Sequence, residues 1–254
     1  MDLSKATESL TISPPKKQND TTTDGSHATS KCPIADTSRL PDFKVQQECP
    51  FHKQRHEKAQ IPSTNKNKNA ANNGFFFHAD EVLRDIGGGD KIRQMCTRFY
   101  AHAFEDQTLS KFMFVDDCAA AHGQRLGDWF VERMGGEGTP WTDSGRHGKR
   151  QYSHFRAWNS SKRTAEDRGK RFKLDDCRIW MRLMFWSMRE VGLDKNPKFV
   201  NLFVPGIESL IGIYERSAPS YARKDYRWSE KQKNVDAYLN NDFLMKDVVG
   251  KGRY

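Results

Sequence analysis

Four side chains of kinds that do chemistry on a small ligand stand far apart in this sequence: Tyr100, His122, His154 and Trp180. His154 comes near the end of a basic, turn-rich stretch, Gly145-Arg146-His147-Gly148-Lys149-Arg150-Gln151-Tyr152-Ser153-His154-Phe155. A neutral imidazole is a good iron ligand, and its second ring nitrogen can be fixed by a hydrogen bond that orients the ring. A phenol, an indole N–H or a protonated imidazole donates to a partly negative ligand. Taken singly, each of these residues also reads as a packed or solvated structural one. Their meaning depends on the elements that position them.

Those elements read as helices. After Ile86-Gly-Gly-Gly89, with Asp90 as the expected N-cap, Ile92, Met95, Cys96, Phe99, Tyr100, Ala103 and Phe104 recur with helical spacing and form one broad apolar face. A turn over 106–114 leads to a second helix expected over 117–134, stopped by Gly135-Gly136, on which His122, Leu126, Trp129 and Phe130 share a side. Residues 137–145 read as loop, His154 falls on a short helix, and 156–171 read as a basic loop. A strong helix follows from Leu174 to Val191 with Trp180, Met184 and Met188 in one stripe. A last core helix runs from Pro197 to Glu215, with a kink expected at Pro205-Gly206. No alternating strand pattern occurs, so the fold class is all-α.

The rest of the chain bounds this domain. Of 254 residues, 30% are charged and the mean hydropathy is −0.86, so much of the chain must lie outside a core. Residues 1–74 are rich in Ser, Thr, Asn, Lys and Gln and are expected to be a disordered tail. Residues 75–220 hold the apolar core, and 221–254 read as a polar C-terminal extension with a marginal helix. No apolar run reaches transmembrane length. Five cysteines, an odd number without disulfide density, fit a reducing interior, and a cytoplasmic location is expected. The net charge of +9 names no partner, and no nucleic-acid motif accompanies it.

Several short motifs in order give a more specific likeness. Ile86-Gly-Gly-Gly, Arg98-Phe99-Tyr100, Asp106-x-x-Leu109-x-x-Phe112, Gly135-Gly136, Gly145-x-His147, His154 and Ile179-Trp180-Met181 together resemble the truncated haemoglobins, most closely group II. That resemblance implies a globin-like two-over-two helical sandwich around b-type haem, over about residues 80–214. It implies His154 as the proximal iron ligand, Tyr100 and Trp180 as donors to bound ligand, and His122 at the distal site with Leu126 one turn later. Phe112, Met113, Phe114, Leu126 and Phe130 would form the apolar wall.

Three features depart from the family. The wall aromatic falls by strict spacing at Met113, between Phe112 and Phe114. Gln151-Tyr152-Ser153 replaces an arginine-rich lead to the proximal histidine, leaving Arg146, Lys149 or Arg150 for the haem propionates. The interval from His154 to Trp180 is about a dozen residues longer than usual, an inserted basic loop. The resemblance implies a protein that binds dioxygen, nitric oxide or carbon monoxide, with nitric oxide, nitrite or peroxide chemistry as conceivable activities and an unidentified reductase as a further partner. Whether it is an enzyme, and its oligomeric state, stay open. The alternative is a haem- or redox-responsive regulatory protein. It draws on Cys32-Pro33 and Cys49-Pro50, which resemble haem regulatory motifs, and on the basic segments.

Overall fold

The computed structural model describes residues 79–113 and 118–251, and every regular element among them is helical. The expected tail, both Cys-Pro pairs and Phe114 lie outside the described residues. The helices are α1 (Asp80–Asp85), α2 (Gly89–Glu105), α3 (Ala119–Met134), α4 (Pro140–Asp143), α5 (Arg150–Trp158), α6 (Leu174–Glu190), α7 (Pro197–Ile211), α8 (Ala222–Tyr226) and α9 (Gln232–Leu239).

The apolar face read from the spacing is the buried face of α2. Ile92, Met95, Cys96, Phe99 and Ala103 are all fully enclosed. Its start differs from expectation. Gly88, at φ +91°, takes the N-cap position, a conformation that costs a side-chain-free residue little, while Asp90 stays in the exposed first turn and pairs with Arg93 at 3.0 Å.

A pair of glycines sets how α2 meets α3. A Cβ on Gly123 would stand 2.4 Å from Thr97 Cα, and one on Gly127 would stand 2.7 Å from Arg93 Cα. Steps of four on each helix match in opposite directions, so α2 and α3 cross antiparallel with their backbones nearly touching. The Arg93 Nε donates to Asp128 beside this crossing at 2.8 Å. Gly135 and Gly136, at φ +81° and +96°, end α3 where the sequence places the stop.

Helix α6 is the centre of the unit. Most of its residues are buried, including Cys177, Ile179, Met181, Leu183, Met184, Phe185 and Met188. Its first turn is closed by Asp176, whose carboxylate accepts the Lys173 N–H at 2.7 Å. Helix α7 starts on Asn196, whose side chain accepts from Phe199 N, carries Pro205 internally and ends at Ile211, one turn short of the expected Glu215. Phe203 of α7 meets Phe130 of α3 and Phe185 of α6, closing the core.

The segment after 221, read as a polar extension, belongs to this packing. Ala222, Trp228, Val235, Tyr238, Met245 and Val248 are buried. Their apolar content is sparse because charges carry much of the attachment. Arg178 and Arg182 on α6 both donate to the fully buried Asp225 at 2.8–2.9 Å, and Arg182 also reaches Asp247. The guanidinium groups of Arg178, Arg182 and Arg189 lie over Tyr221, Trp228 and Tyr226. Tyr238 donates to buried Asp106 at 3.0 Å, tying this segment to the turn after α2. No helix among the described residues is long and apolar enough to cross a membrane.

Candidate functional site

His154 lies on helix α5. None of its residues is fully buried, so it lies on the surface with one edge turned inward. On that edge Arg150 and His154 are one turn apart, and Tyr214, just past the end of α7, lies between their side chains. Arg150 donates to Tyr214 Oη through Nη2 at 2.6 Å and Nε at 3.2 Å, and Tyr214 Oη stands 3.2 Å from His154 Nδ1. The Arg150 guanidinium also lies 4.6 Å from the centre of the Trp129 ring, which carries the link to α3. Arg150 is therefore turned inward as a clamp on Tyr214, where the sequence offered it as a propionate partner.

Burial first, and the Arg150 charge second, push the His154 imidazolium down to about 4, so the ring is neutral at neutral pH. Tyr214 is pushed the other way by burial, and stays a phenol. The proton between them has two positions. The phenol can donate to Nδ1, or Nδ1–H can donate to the phenol oxygen, whose second lone pair the Arg150 fork occupies. In the second arrangement Nε2 carries the lone pair that a metal needs.

The basic loop after α5 seals this corner. Phe172, at its end, is in ring contact with His154, Tyr214, Trp158 and Phe112 at 5.9, 5.8, 5.7 and 5.0 Å. Arg163 is buried, donates to the carbonyls of Trp158 and Lys170, and lies over Phe112 at 4.7 Å. Gly169 N–H donates to Trp158 O at 2.9 Å. The loop is thus folded back on the end of α5, and part of its basic content is consumed internally.

A second group of rings forms around the α2–α3 crossing. Tyr100 and His122 are in tilted ring contact, with centroids 4.7 Å apart and planes at 30°, and Phe104 stands 5.7 Å from His122. Phe99 joins Tyr100 at 4.9 Å to Trp180 at 5.0 Å. Tyr100, Phe104, Leu126 and Trp180 are partly exposed and pack on a core whose other members are enclosed. Three of the four chemistry-bearing residues are thus gathered through Phe99, and His154 belongs to the other group.

Phe112 belongs to the first group through Phe172, and Lys162 of the loop after α5 lies 6.0 Å over Phe104 of the second. Phe112 and Met113 are buried. Phe130 is buried against Trp129 and Phe203 at 5.1 and 5.5 Å. His147 is exposed in the turn before α5. Sequence reasoning missed Tyr214 and Phe172 as partners of His154, and the Gly123-x-x-x-Gly127 spacing that brings His122 against Tyr100. That spacing was visible on a helix otherwise free of glycine breaks.

The donor set narrows the chemistry. Among the described residues no three or more His, Cys, Asp or Glu side chains gather as a metal cluster, so a closed zinc-type site has no ligands here. One positioned neutral imidazole in an aromatic setting fits a metal whose other ligands come from its own macrocycle. Cys96 and Cys177 are buried, and burial raises their thiols far above the ordinary range, which makes them poor thiolate ligands. No protein-family model, curated protein or solved structure matches this chain.

Proposed function

We propose that this chain is a truncated-haemoglobin-like protein of the group II kind, holding b-type haem through His154 and binding dioxygen and other diatomic ligands. The observation that carries the reading is the Arg150–Tyr214–His154 chain: a neutral imidazole, fixed at Nδ1, is the form in which histidine ligates iron. The bound haem would supply a redox-active iron with a site for a small ligand. His154 would hold it, and Phe172 and Phe112 would exclude water from its edge.

The chain's other residues then set the outcome. The Tyr100 O–H and Trp180 N–H are donors to a ligand with partial negative charge, and His122 packs against the Tyr100 ring. Reversible binding follows where these donors act without proton delivery. Nitric oxide or peroxide chemistry would need an external electron source.

The reading is tested by titrating the cofactor-free protein with haem and recording ferric, ferrous and carbon-monoxide spectra. A Soret band that saturates with added haem, and that changes position and intensity in His154→Ala, is the expected result. Free-haem spectra throughout, or identical spectra for the two proteins, overturn it.

A further inference from the structure

A further aromatic cluster forms where the C-terminal segment meets α2 and α6. The rings of Trp186, Trp228 and Tyr238 touch one another edge to face, with centres 6.0–6.4 Å apart. Indole and phenol are the aromatic side chains that give up single electrons. Tyr238 is 3% exposed, and its O–H donates to Asp106 Oδ2 at 3.0 Å. Asp106 is fully enclosed, and its other oxygen accepts the N–H groups of Thr108 and Leu109, each at 2.8 Å. Among the described residues no lysine or arginine forms a salt bridge with it.

A buried carboxylate without a cation is costly, and burial raises the Asp106 carboxyl above its ordinary range. Closing the turn does not require it. An asparagine would accept both N–H groups through its oxygen and meet the phenol through its amide. The carboxylate differs in being able to take a proton.

The charges around the three rings single out Tyr238. The Arg182 guanidinium, 5.4 Å from the centre of Trp228, opposes positive charge on that ring. Trp186 is partly exposed and stacked at 3.9 Å on His102, whose Nε2 lies 2.8 Å from Glu190. Arg98 shares Glu190, so the pull of that carboxylate on a positive charge at Trp186 is partial. Tyr238 has a buried base on its own O–H, so loss of the proton leaves a neutral ring. Its surroundings are also held in place. Asp242 and Phe243 take left-handed backbone, at φ +49° and +58°, a strained pair. Gln107 holds them, donating to Phe243 O at 3.1 Å and to Asp242 O at 2.7 Å, and Phe243 lies against Tyr238 at 5.8 Å.

We infer that Tyr238 is a redox-active tyrosine, oxidised through Trp186 by a one-electron oxidant, with Asp106 accepting the phenol proton. The oxidant gains one electron. Tyr238 loses that electron and passes its O–H proton along the hydrogen bond to Asp106 Oδ2, leaving a neutral tyrosyl radical beside a neutral carboxylic acid. A reductant of the thiol or ascorbate class returns the electron, and the proton returns from Asp106. The inference uses none of the groups assigned to haem and stands without that reading.

The test uses the full, cofactor-free chain with photogenerated tris(bipyridine)ruthenium(III) as the oxidant. Electron paramagnetic resonance of rapidly frozen samples is expected to show a tyrosyl radical in the wild type that loses most of its intensity in Tyr238→Phe. Transient absorption is expected to give a tyrosyl yield several-fold lower in Trp186→Phe and in Asp106→Asn, with circular dichroism confirming that each variant is folded. In wild type fully exchanged into heavy water, the tyrosyl signal is expected to rise more slowly, a readout that depends on no variant. No tyrosyl radical in the wild type, an equal signal in Tyr238→Phe, or a rise indifferent to heavy water overturns the inference. So does an unchanged yield in either folded Trp186→Phe or folded Asp106→Asn.

Discussion

Tyr214 and His154, sixty residues apart in sequence, are joined by a 3.2 Å contact between Oη and Nδ1, and Arg150 clamps the same oxygen from behind. This relation fixes a ring whose own helix is almost entirely on the surface. For the haem proposed at His154, it would make Tyr214 a positioning residue.

Tyr214→Phe removes the Nδ1 partner and strands the Arg150 fork. Loss of a partner of this kind typically weakens metal sites about 10–100-fold. Haem transfer from the variant to excess apomyoglobin is expected to be faster by a factor in that range, with the helix content by circular dichroism unchanged. Equal transfer rates would show that the phenol does not support the ligand.

Acid sensitivity follows from the same ring. The folded protein holds His154 at about 4 against an ordinary value of 6.5, so the fold favours the neutral form. That contribution is complete above about pH 6.5 and is lost as pH falls through 4. Its size is at most about 3 kcal/mol, reduced by screening at the partly exposed edge of the ring. Asp176, pushed up to about 6 by burial, works in the opposite sense and gains stability as pH falls. The quantity to measure is therefore the difference between wild type and His154→Gln. Urea titrations of the cofactor-free proteins from pH 7 to 4 should show the wild type losing stability relative to the variant.

The α2–α3 crossing predicts the cost of one methyl group. Gly123→Ala gains roughly 1 kcal/mol of helix propensity. It also places Cβ against the Thr97 backbone, where no side chain can swing away. Overpacking of this kind costs about 1–3 kcal/mol, and a backbone clash belongs at the upper end. A net loss of roughly 2 kcal/mol by denaturant midpoint is expected, together with altered fluorescence of Trp180. A stabilised variant would mean the helices separate without penalty.

The C-terminal segment is predicted to be indispensable. Asp225→Ala leaves Arg178 and Arg182 buried without their shared carboxylate. Breaking a buried pair from one side costs about 3–5 kcal/mol, a large part of a domain's stability. Thermal melting should fall by roughly 10–20 °C or become non-cooperative, whereas Asp242→Ala, at an exposed turn, should shift it little.

Much of the helical layout was legible because burial on α2, α3 and α7 follows a 3.6-residue period, whereas α6 is enclosed on nearly all sides. Helix ends were less legible. Asp90 has the chemistry of a cap, but Gly88 reaches the backbone conformation that the entry to α2 needs. The segment after 221 was misjudged in composition because its attachment runs through arginine, carboxylate and aromatic groups that a hydropathy reading counts as solvent-facing. Residue types named Tyr100, His122, His154 and Trp180, and the fold gathers three of them through Phe99. Tyr214 and Phe172 escaped because their role lies in contacts across 60 and 18 residues of chain, which no local spacing encodes.

The central claim is that His154 ligates haem iron. Resonance Raman spectra of the ferrous, haem-loaded protein test it most directly. An iron–histidine stretching band is expected in the wild type, lost in His154→Ala and restored there by added imidazole. A wild-type spectrum without that band, or a band that survives in His154→Ala without imidazole, would contradict the account.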